Sequence, residues 1–116
     1  MSSAGEHLGV DATNSDAIKK LYKLKKRPNK NPLIIHVNSI EMSEKIGILN
    51  KDFYKLASVF WPGPLTFIVQ QKKDSEISKI VNSKLSTVAL RMPSSYVFLA
   101  TIKALNKPIA APSANI

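Results

Sequence analysis

The sequence predicts an α/β fold, in which helices cover a β-sheet. Segments with helical spacing of apolar residues alternate along the chain with short apolar runs that are typical of strands. The run at residues 33–37 is short and continuous, as expected for a strand buried on both faces of a parallel sheet. Capping residues and prolines separate the segments. The 116 residues fit one domain of common size, and no linker divides them.

Four helices are predicted from apolar spacing together with capping residues. The segments, with their candidate caps, are residues 14–25 (Asn14 or Ser15), 39–49 (Ser39), 50–60 (Asn50) and 94–106 (Ser94 or Ser95). The third helix places Phe53, Leu56, Ala57 and Phe60 at helical spacing and stops at the Pro-Gly-Pro that follows Trp61. Residues 74–81 are predicted to form a further short helix.

Strands are predicted between these helices. They are residues 33–37, 65–69, 87–90 and 108–111. Residues 1–13 carry little pattern, and we expect them to be a frayed start or a remnant of something longer. No internal repeat or low-complexity segment interrupts the alternation.

Composition excludes several classes of protein. The absence of cysteine excludes disulfides, thiolate metal sites and cysteine nucleophiles. The N-terminus lacks the features of a signal peptide, and no apolar run approaches the roughly 20 residues of a membrane span. We therefore expect a cytoplasmic protein that does not cross a membrane.

The net charge of +9 is concentrated near the start of the chain. Residues 19–30 contain seven basic residues and no acidic one. Such a block attracts nucleotides, nucleic acid or other polyanions, although a solvated helix face explains most of its lysines equally well. Lys25 and Arg27 are the exceptions, since they lie at the predicted helix exit, where the helix dipole favours cations.

Polar residues lie at or beside the ends of all four predicted strands: His36, Thr66, Arg91, Ser113 and Asn115. Ligands of open α/β sheets bind in the crevice at strand ends, so these side chains are candidates for one site. Each also has a purely structural explanation: a buried satisfied histidine, a strand-forming threonine, a surface ion pair or a turn. Taken together, they compose a basic, hydroxyl-rich mouth suited to a nucleotide phosphate.

Other chemistry is poorly represented in the sequence. Two histidines without cysteine give no metal-ligand spacing, and no glycine-rich phosphate loop occurs. The eight acidic residues show no pairing suited to general acid–base catalysis. Binding, charge neutralisation and positioning would therefore have to carry most of any catalysis.

Five motifs resemble the YrdC family of threonylcarbamoyl-AMP synthases, in the family's order and at similar spacing. They are residues 25–28 (KKRP), 31–37 (NPLIIHV), 61–66 (WPGPLT), 87–93 (TVALRMP) and 111–115 (APSAN). The resemblance implies a twisted mixed sheet with flanking helices and a concave, basic cavity. It assigns residues 8–116 to a partial YrdC-like domain that lacks the family's N-terminal strand and final loop. Residues 1–7 would be a disordered or unrelated segment.

The resemblance also implies a reaction and its residues. Threonine and bicarbonate would form a carbamate that attacks the α-phosphate of ATP, giving threonylcarbamoyl-AMP and pyrophosphate. A tRNA-modifying partner enzyme would then use the product to make threonylcarbamoyladenosine. Lys25, Arg27, Ser113 and Asn115 match the family's active-site tetrad.

Further positions complete the implied binding site. His36 would orient the threonine, Thr66 and Arg91 would line the nucleotide side, and Pro112 would contact substrate. Mg²⁺ is expected to arrive with ATP and to be bound through phosphates. A second hypothesis is a non-catalytic fragment that binds double-stranded RNA, with which family members have been associated, or tRNA. A third is a fragment without independent function.

Overall fold

A mixed β-sheet organises the computed structural model, which describes residues 9–24, 33–81 and 86–112. The strands within these ranges are β1 (Val10–Asp11), β2 (Ile34–His36), β3 (Gly47–Ile48), β4 (Phe67–Gln71), β5 (Thr87–Arg91) and β6 (Ile109–Ala111). The helices are α1 (Ser15–Leu24), α2 (Ile40–Ile46), α3 (Lys51–Phe60) and α4 (Tyr96–Leu105). The predicted α/β class is confirmed.

The strand order across the sheet is β1-β6-β2-β5-β4-β3. β2 and β5 pair in parallel, whereas the other neighbours pair antiparallel. All three residues of β2 are buried, as its continuous apolar pattern predicts. Its last residue, His36, lies opposite Arg91 of β5 on one side and Ile109 of β6 on the other. The carboxyl ends of β2 and β5 therefore meet at one edge of the sheet.

Side-chain caps fix where the four described helices begin. Asn14, Ser39, Asn50 and Ser95 accept backbone N–H bonds of 3.0, 3.1, 2.8 and 3.3 Å, respectively, from residues three positions further along. Each such cap stabilises a helix by about 1 kcal/mol. The capping predictions for Ser39 and Asn50 are confirmed, and the structure chooses Asn14 and Ser95 where two candidates were open.

The prediction of a helix over residues 74–81 is wrong, because this segment forms turns. The hydroxyl oxygens of Ser75 and Ser78 accept N–H bonds from Ile77 and Ile80, each two residues ahead. Such short side-chain bonds offer the backbone an alternative to a helix. The segment also packs against α1, since the Ser78 hydroxyl lies 2.7 Å from that of Ser15.

Further boundaries differ from the prediction. The strand predicted over residues 65–69 is β4 and runs from Phe67 to Gln71. The second helix ends at Ile46 rather than Leu49, and the chain continues into β3. A Cβ at Gly47 would lie 2.5 Å from Cγ2 of Val69, so glycine lets β3 approach β4 closely. At the start of the chain, β1 pairs with β6 within the stretch expected to be frayed. This expectation is therefore wrong for residues 10–11.

The main core lies on one face of the sheet. It contains Ile18 and Leu21 of α1, Phe53 of α3, and Ile35 and Leu90 of the central strands. Helix α4 packs on the opposite face, where the Phe98 ring contacts His36.

Only part of the predicted apolar face of α3 is covered in the described structure. Phe53 and Ala57 are buried, whereas Leu56 and Phe60 are 42% and 52% exposed. None of the described helices has the length and apolar character needed to cross a membrane.

Candidate functional site

A cavity of about 240 Å³, called the pocket below, opens where β2 and β5 end. Its lining residues are His36, Gly63, Pro64, Arg91, Pro93, Ser94, Ser95, Phe98, Ala111 and Pro112. His36 and Arg91 enter it from the last positions of two parallel strands that pair in register. This is the strand-end crevice in which α/β sheets bind ligands.

Arg91 is the cation that the described residues contribute to the pocket. Its Nε donates a 2.9 Å hydrogen bond to the hydroxyl oxygen of Thr66. Within the described ranges no carboxylate lies within ion-pair distance of Arg91, so the surface ion pair considered from the sequence is not found there. Partial burial lowers the pKa of Arg91, but a guanidinium keeps its charge at neutral pH. Among the residues that the structure describes, the positive charge of Arg91 in the pocket is therefore uncompensated.

His36 is held as a neutral ring beside that cation. The side chain is 4% exposed, and Nδ1 lies 3.1 Å from the carbonyl oxygen of Ile34. The Phe98 ring packs edge-on against it, with 5.0 Å between ring centroids. Burial, with a further contribution from the positive charge of Arg91, lowers the pKa of His36 to about 4. At neutral pH the imidazole can offer hydrogen bonds but no charge.

Gly63 and Pro64, in the turn between Trp61 and Leu65, form one wall of the pocket. The indole Nε1–H of Trp61 donates a 2.9 Å bond to the carbonyl oxygen of Leu65. The backbone N–H of Gly63 donates a 2.8 Å bond to the carbonyl oxygen of Met92. A Cβ at Gly63 would lie 2.6 Å from the Phe60 carbonyl oxygen, so this turn requires glycine. The first bond closes the turn, and the second holds the turn against the residue that follows β5.

The structure brings together the predicted residues that it describes. His36, Arg91 and Pro112 line the pocket, and Thr66 joins them through its bond to Arg91. The predicted tetrad of Lys25, Arg27, Ser113 and Asn115 lies outside the described residues, so its place in the site stays a prediction.

Sequence reasoning missed the contribution of the β5–α4 turn to the pocket. Ser94 and Ser95 line it, and Ser95 also caps α4. The signal was available, because two consecutive serines follow a strand end and precede a helix. Their hydroxyl groups and the start of α4 favour a negatively charged ligand.

A second cavity, called the wide cleft below, has a volume of about 940 Å³. It lies between α2, the turn at residues 72–76 and the turn at residues 106–108. Its charged lining residues are Glu41, Glu44, Asp74 and Glu76 together with Lys45, Lys72 and Lys107. Across the described part of the chain, no three His, Asp or Glu side chains group closely enough to hold a metal ion. Those residues therefore offer no protein cage for Mg²⁺.

The sequence is similar to a protein-family model and to several known proteins. The model of the Sua5/YciO/YrdC family, described as telomere recombination, matches residues 3–116. A relative from Bacillus subtilis named threonylcarbamoyl-AMP synthase is 46% identical over 110 residues, covering 94% of this chain and 32% of the relative. One of the same name from Saccharophagus degradans is 33% identical over 109 residues, covering 93% of this chain and 56% of the relative.

A solved structure supports the same grouping. The Sua5 of Pyrococcus abyssi, crystallised with L-threonine, is 39% identical in sequence and superposes with a TM-score of 0.86. The match covers 93% of this chain and 32% of that protein. The chain thus spans about a third of the length of the B. subtilis and P. abyssi relatives.

Proposed function

Because this chain belongs to the Sua5/YciO/YrdC family, we propose that it forms part of a threonylcarbamoyl-AMP synthase. The substrates would be L-threonine, bicarbonate and ATP. The nitrogen of threonine would combine with bicarbonate to give a carbamate and water. A carbamate oxygen would then attack the α-phosphorus of ATP, and the bond to the β-phosphate would break to release pyrophosphate. The product would serve tRNA threonylcarbamoyladenosine synthesis.

One observation carries the proposal: an arginine without a carboxylate partner among the described residues, anchored by a threonine at the mouth of a strand-end pocket. A charge in this setting favours an anionic ligand, since a guanidinium forms strong, directional bonds with phosphate and carboxylate oxygens. Arg91 would face the nucleotide phosphates. His36 is neutral at physiological pH. It would hydrogen-bond a polar group of threonine and would not compete with the cations of the site for the threonine carboxylate.

The four residues of the predicted tetrad, which the structure does not describe, would complete the site. Lys25 and Arg27 would neutralise phosphate and carboxylate charge, and Ser113 and Asn115 would hold substrate oxygens. Ser113 is the residue after Pro112, which lines the pocket, and this adjacency in sequence supports its assignment to the site. Mg²⁺ would be bound by the ATP phosphates.

Pyrophosphate release tests the proposal. The chain is incubated with ATP, L-threonine and bicarbonate, and then with each substrate omitted in turn. We expect release that requires all three substrates. Calorimetric titration with ATP and with threonine accompanies the assay, because binding alone would restrict the proposal to substrate recognition. If neither pyrophosphate release nor ATP binding is detected at high protein concentration, the proposal is contradicted.

A second candidate function is RNA binding, which the exposed lysines of α1 favour. Lys19, Lys20 and Lys23 are all exposed along this helix. Binding dominated by phosphate contacts weakens steeply with added salt. Reversing these three charges should abolish RNA binding and leave ATP binding unchanged. RNA affinity that is absent or insensitive to salt would exclude this alternative.

A further inference from the structure

We propose that Trp61 is a positioning residue for Arg91, acting through the Leu65–Thr66 peptide and the Thr66 hydroxyl. The indole N–H holds the Leu65 carbonyl, the adjoining Thr66 hydroxyl holds Nε of Arg91, and the guanidinium is thereby aimed into the pocket. Its effect on ligand affinity rests on the proposed function, in which Arg91 binds the nucleotide.

The starting point of this chain of contacts is a buried, closely packed indole. Trp61 is 9% exposed, and its ring packs at steep angles against Phe53 and Phe67, with centroid distances of 5.3 and 5.2 Å. Phe53 in turn contacts Phe67 at 4.6 Å, which closes a three-ring cluster. Side chains packed on several faces have little rotamer freedom. The direction of the indole N–H is therefore fixed by the core.

The next contacts run through a single peptide unit. The carbonyl that accepts the indole N–H belongs to Leu65, and its carbon is bonded to the nitrogen of Thr66. The peptide unit is planar, so fixing its oxygen also restricts the orientation of the following residue. The Thr66 hydroxyl then accepts the 2.9 Å bond from Arg91 Nε.

A second tie keeps the two ends of this path at a constant separation. Gly63 donates its N–H to the carbonyl oxygen of Met92, the residue after Arg91, at 2.8 Å. The residues flanking Arg91 are thus both held, Met92 by Gly63 and Leu90 by its pairing with Phe67. A bond to Nε sets the plane of the guanidinium, and its remaining N–H donors are left for a ligand.

The expected effect follows from the rotamer freedom of arginine. Without the Thr66 bond, Arg91 would have to be ordered by the ligand, which weakens binding by roughly two- to tenfold for one flexible side chain. Trp61→Phe keeps an aromatic ring and removes the N–H. Thr66→Val keeps the shape and removes the hydroxyl. If Trp61 acts through Thr66, the two substitutions remove the same contribution.

Calorimetric titration with ATP tests this as a double-mutant cycle. We expect roughly two- to tenfold weaker binding for each single variant, and for the double variant an affinity no lower than that of Thr66→Val alone. A merely structural role would instead make the effects multiply, and that result would overturn the proposal. So would an unchanged affinity in Trp61→Phe. Tyr54→Phe is the matched control, since it removes a 2.7 Å bond to Glu44 beside the same cluster and should leave affinity unchanged.

A second measurement does not depend on nucleotide binding. The sequence has arginine only at positions 27 and 91, so comparison with Arg91→Lys assigns the Nε–H resonance of Arg91 by NMR. We expect slow exchange of this proton with water in the original chain, and fast exchange in Thr66→Val and Trp61→Phe. This pattern without ATP binding would contradict the proposed function and support the inference. Slow exchange in Trp61→Phe would overturn the inference itself.

A subtler substitution covers the case in which Trp61→Phe does not fold. Trp61 is the only tryptophan of the chain, so biosynthetic replacement with benzothienylalanine alters this residue alone. The analogue has sulfur in place of the N–H and nearly the same shape. Fast exchange at Arg91 in the analogue supports the proposal, and slow exchange overturns it.

Discussion

The pocket is smaller than the wide cleft, but its lining has the less balanced charge. The wide cleft is the larger, at about 940 Å³ against about 240 Å³. Its lining carries four acidic and three basic residues, and two of these, Glu76 and Lys107, form an ion pair. In the pocket, the described lining carries one cation, Arg91, and a neutral His36.

We therefore base the proposed binding site on charge balance rather than on cavity volume. Opposite charges in the wide cleft can compensate one another, as Glu76 and Lys107 do. Arg91 has no such carboxylate partner within the described ranges, and its side chain is held by a bond spanning 25 positions of the sequence. A protein that orders a cation without neutralising it gains little stability by doing so, which favours a functional explanation.

Arg91→Ala should have the largest effect and tests the difference between the two cavities most directly. Bonds from a charged group contribute about 1.5–3 kcal/mol, so ATP affinity should fall roughly 10- to 100-fold. Arg91→Lys should also weaken binding, because an ammonium cannot bond both Thr66 and a ligand in the planar geometry of a guanidinium. Calorimetry gives the affinities. Lys45→Ala, in the wide cleft, is the control that should change nothing, and equal losses in both cavities would remove the distinction between them.

A second prediction uses the neutral histidine of the pocket. Its pKa is about 4 in the folded chain and 6.5 when unperturbed, so the unfolded state takes up a proton first as the pH falls. Above pH 6.5 the residue is neutral in both states. Between pH 7 and pH 5 it should therefore lower the free energy of unfolding by about 2 kcal/mol. Denaturant unfolding at each pH measures this loss.

His36→Gln is the control for the pH series. Glutamine does not titrate, so the variant should lack this part of the pH dependence even if it is less stable at every pH. The comparison is between slopes, since carboxylates titrate in both proteins. The same slope for both proteins would mean that His36 is not held neutral by burial.

The sequence predicts which residues line the pocket better than it predicts the hydrogen bonds between them and their neighbours. His36 and Arg91 could be found because both end strands, and strand ends of α/β sheets bind ligands. The bond between Thr66 and Arg91 depends on the antiparallel pairing of Phe67 with Leu90, which brings the neighbouring residues together. That register is a tertiary property. The bond from Trp61 to Leu65 likewise depends on a loop conformation that no periodicity reports.

The misassigned elements have the same cause. Ser39 and Asn50 were found as caps because a cap is a local interaction of residues three positions apart. Residues 74–81 have the composition of a helix, but Ser78 is tied to α1, distant in sequence. Strand β3 exists because Gly47 can approach Val69. Local rules therefore predict helix starts, whereas long-range packing decides the short strands and turns.

The smallest expected effect lies in the wide cleft. Lys107 and Glu76 are 3.8 Å apart, and their side chains are 43% and 79% exposed. Pairs of this kind contribute less than about 1 kcal/mol, because water screens the charges and ordering two long side chains costs entropy. Lys107→Ala should therefore shift the free energy of unfolding by no more than this amount, and the shift should vanish in high salt. A loss comparable to that of a buried pair, persisting in salt, would show that the wide cleft is as tightly organised as the pocket.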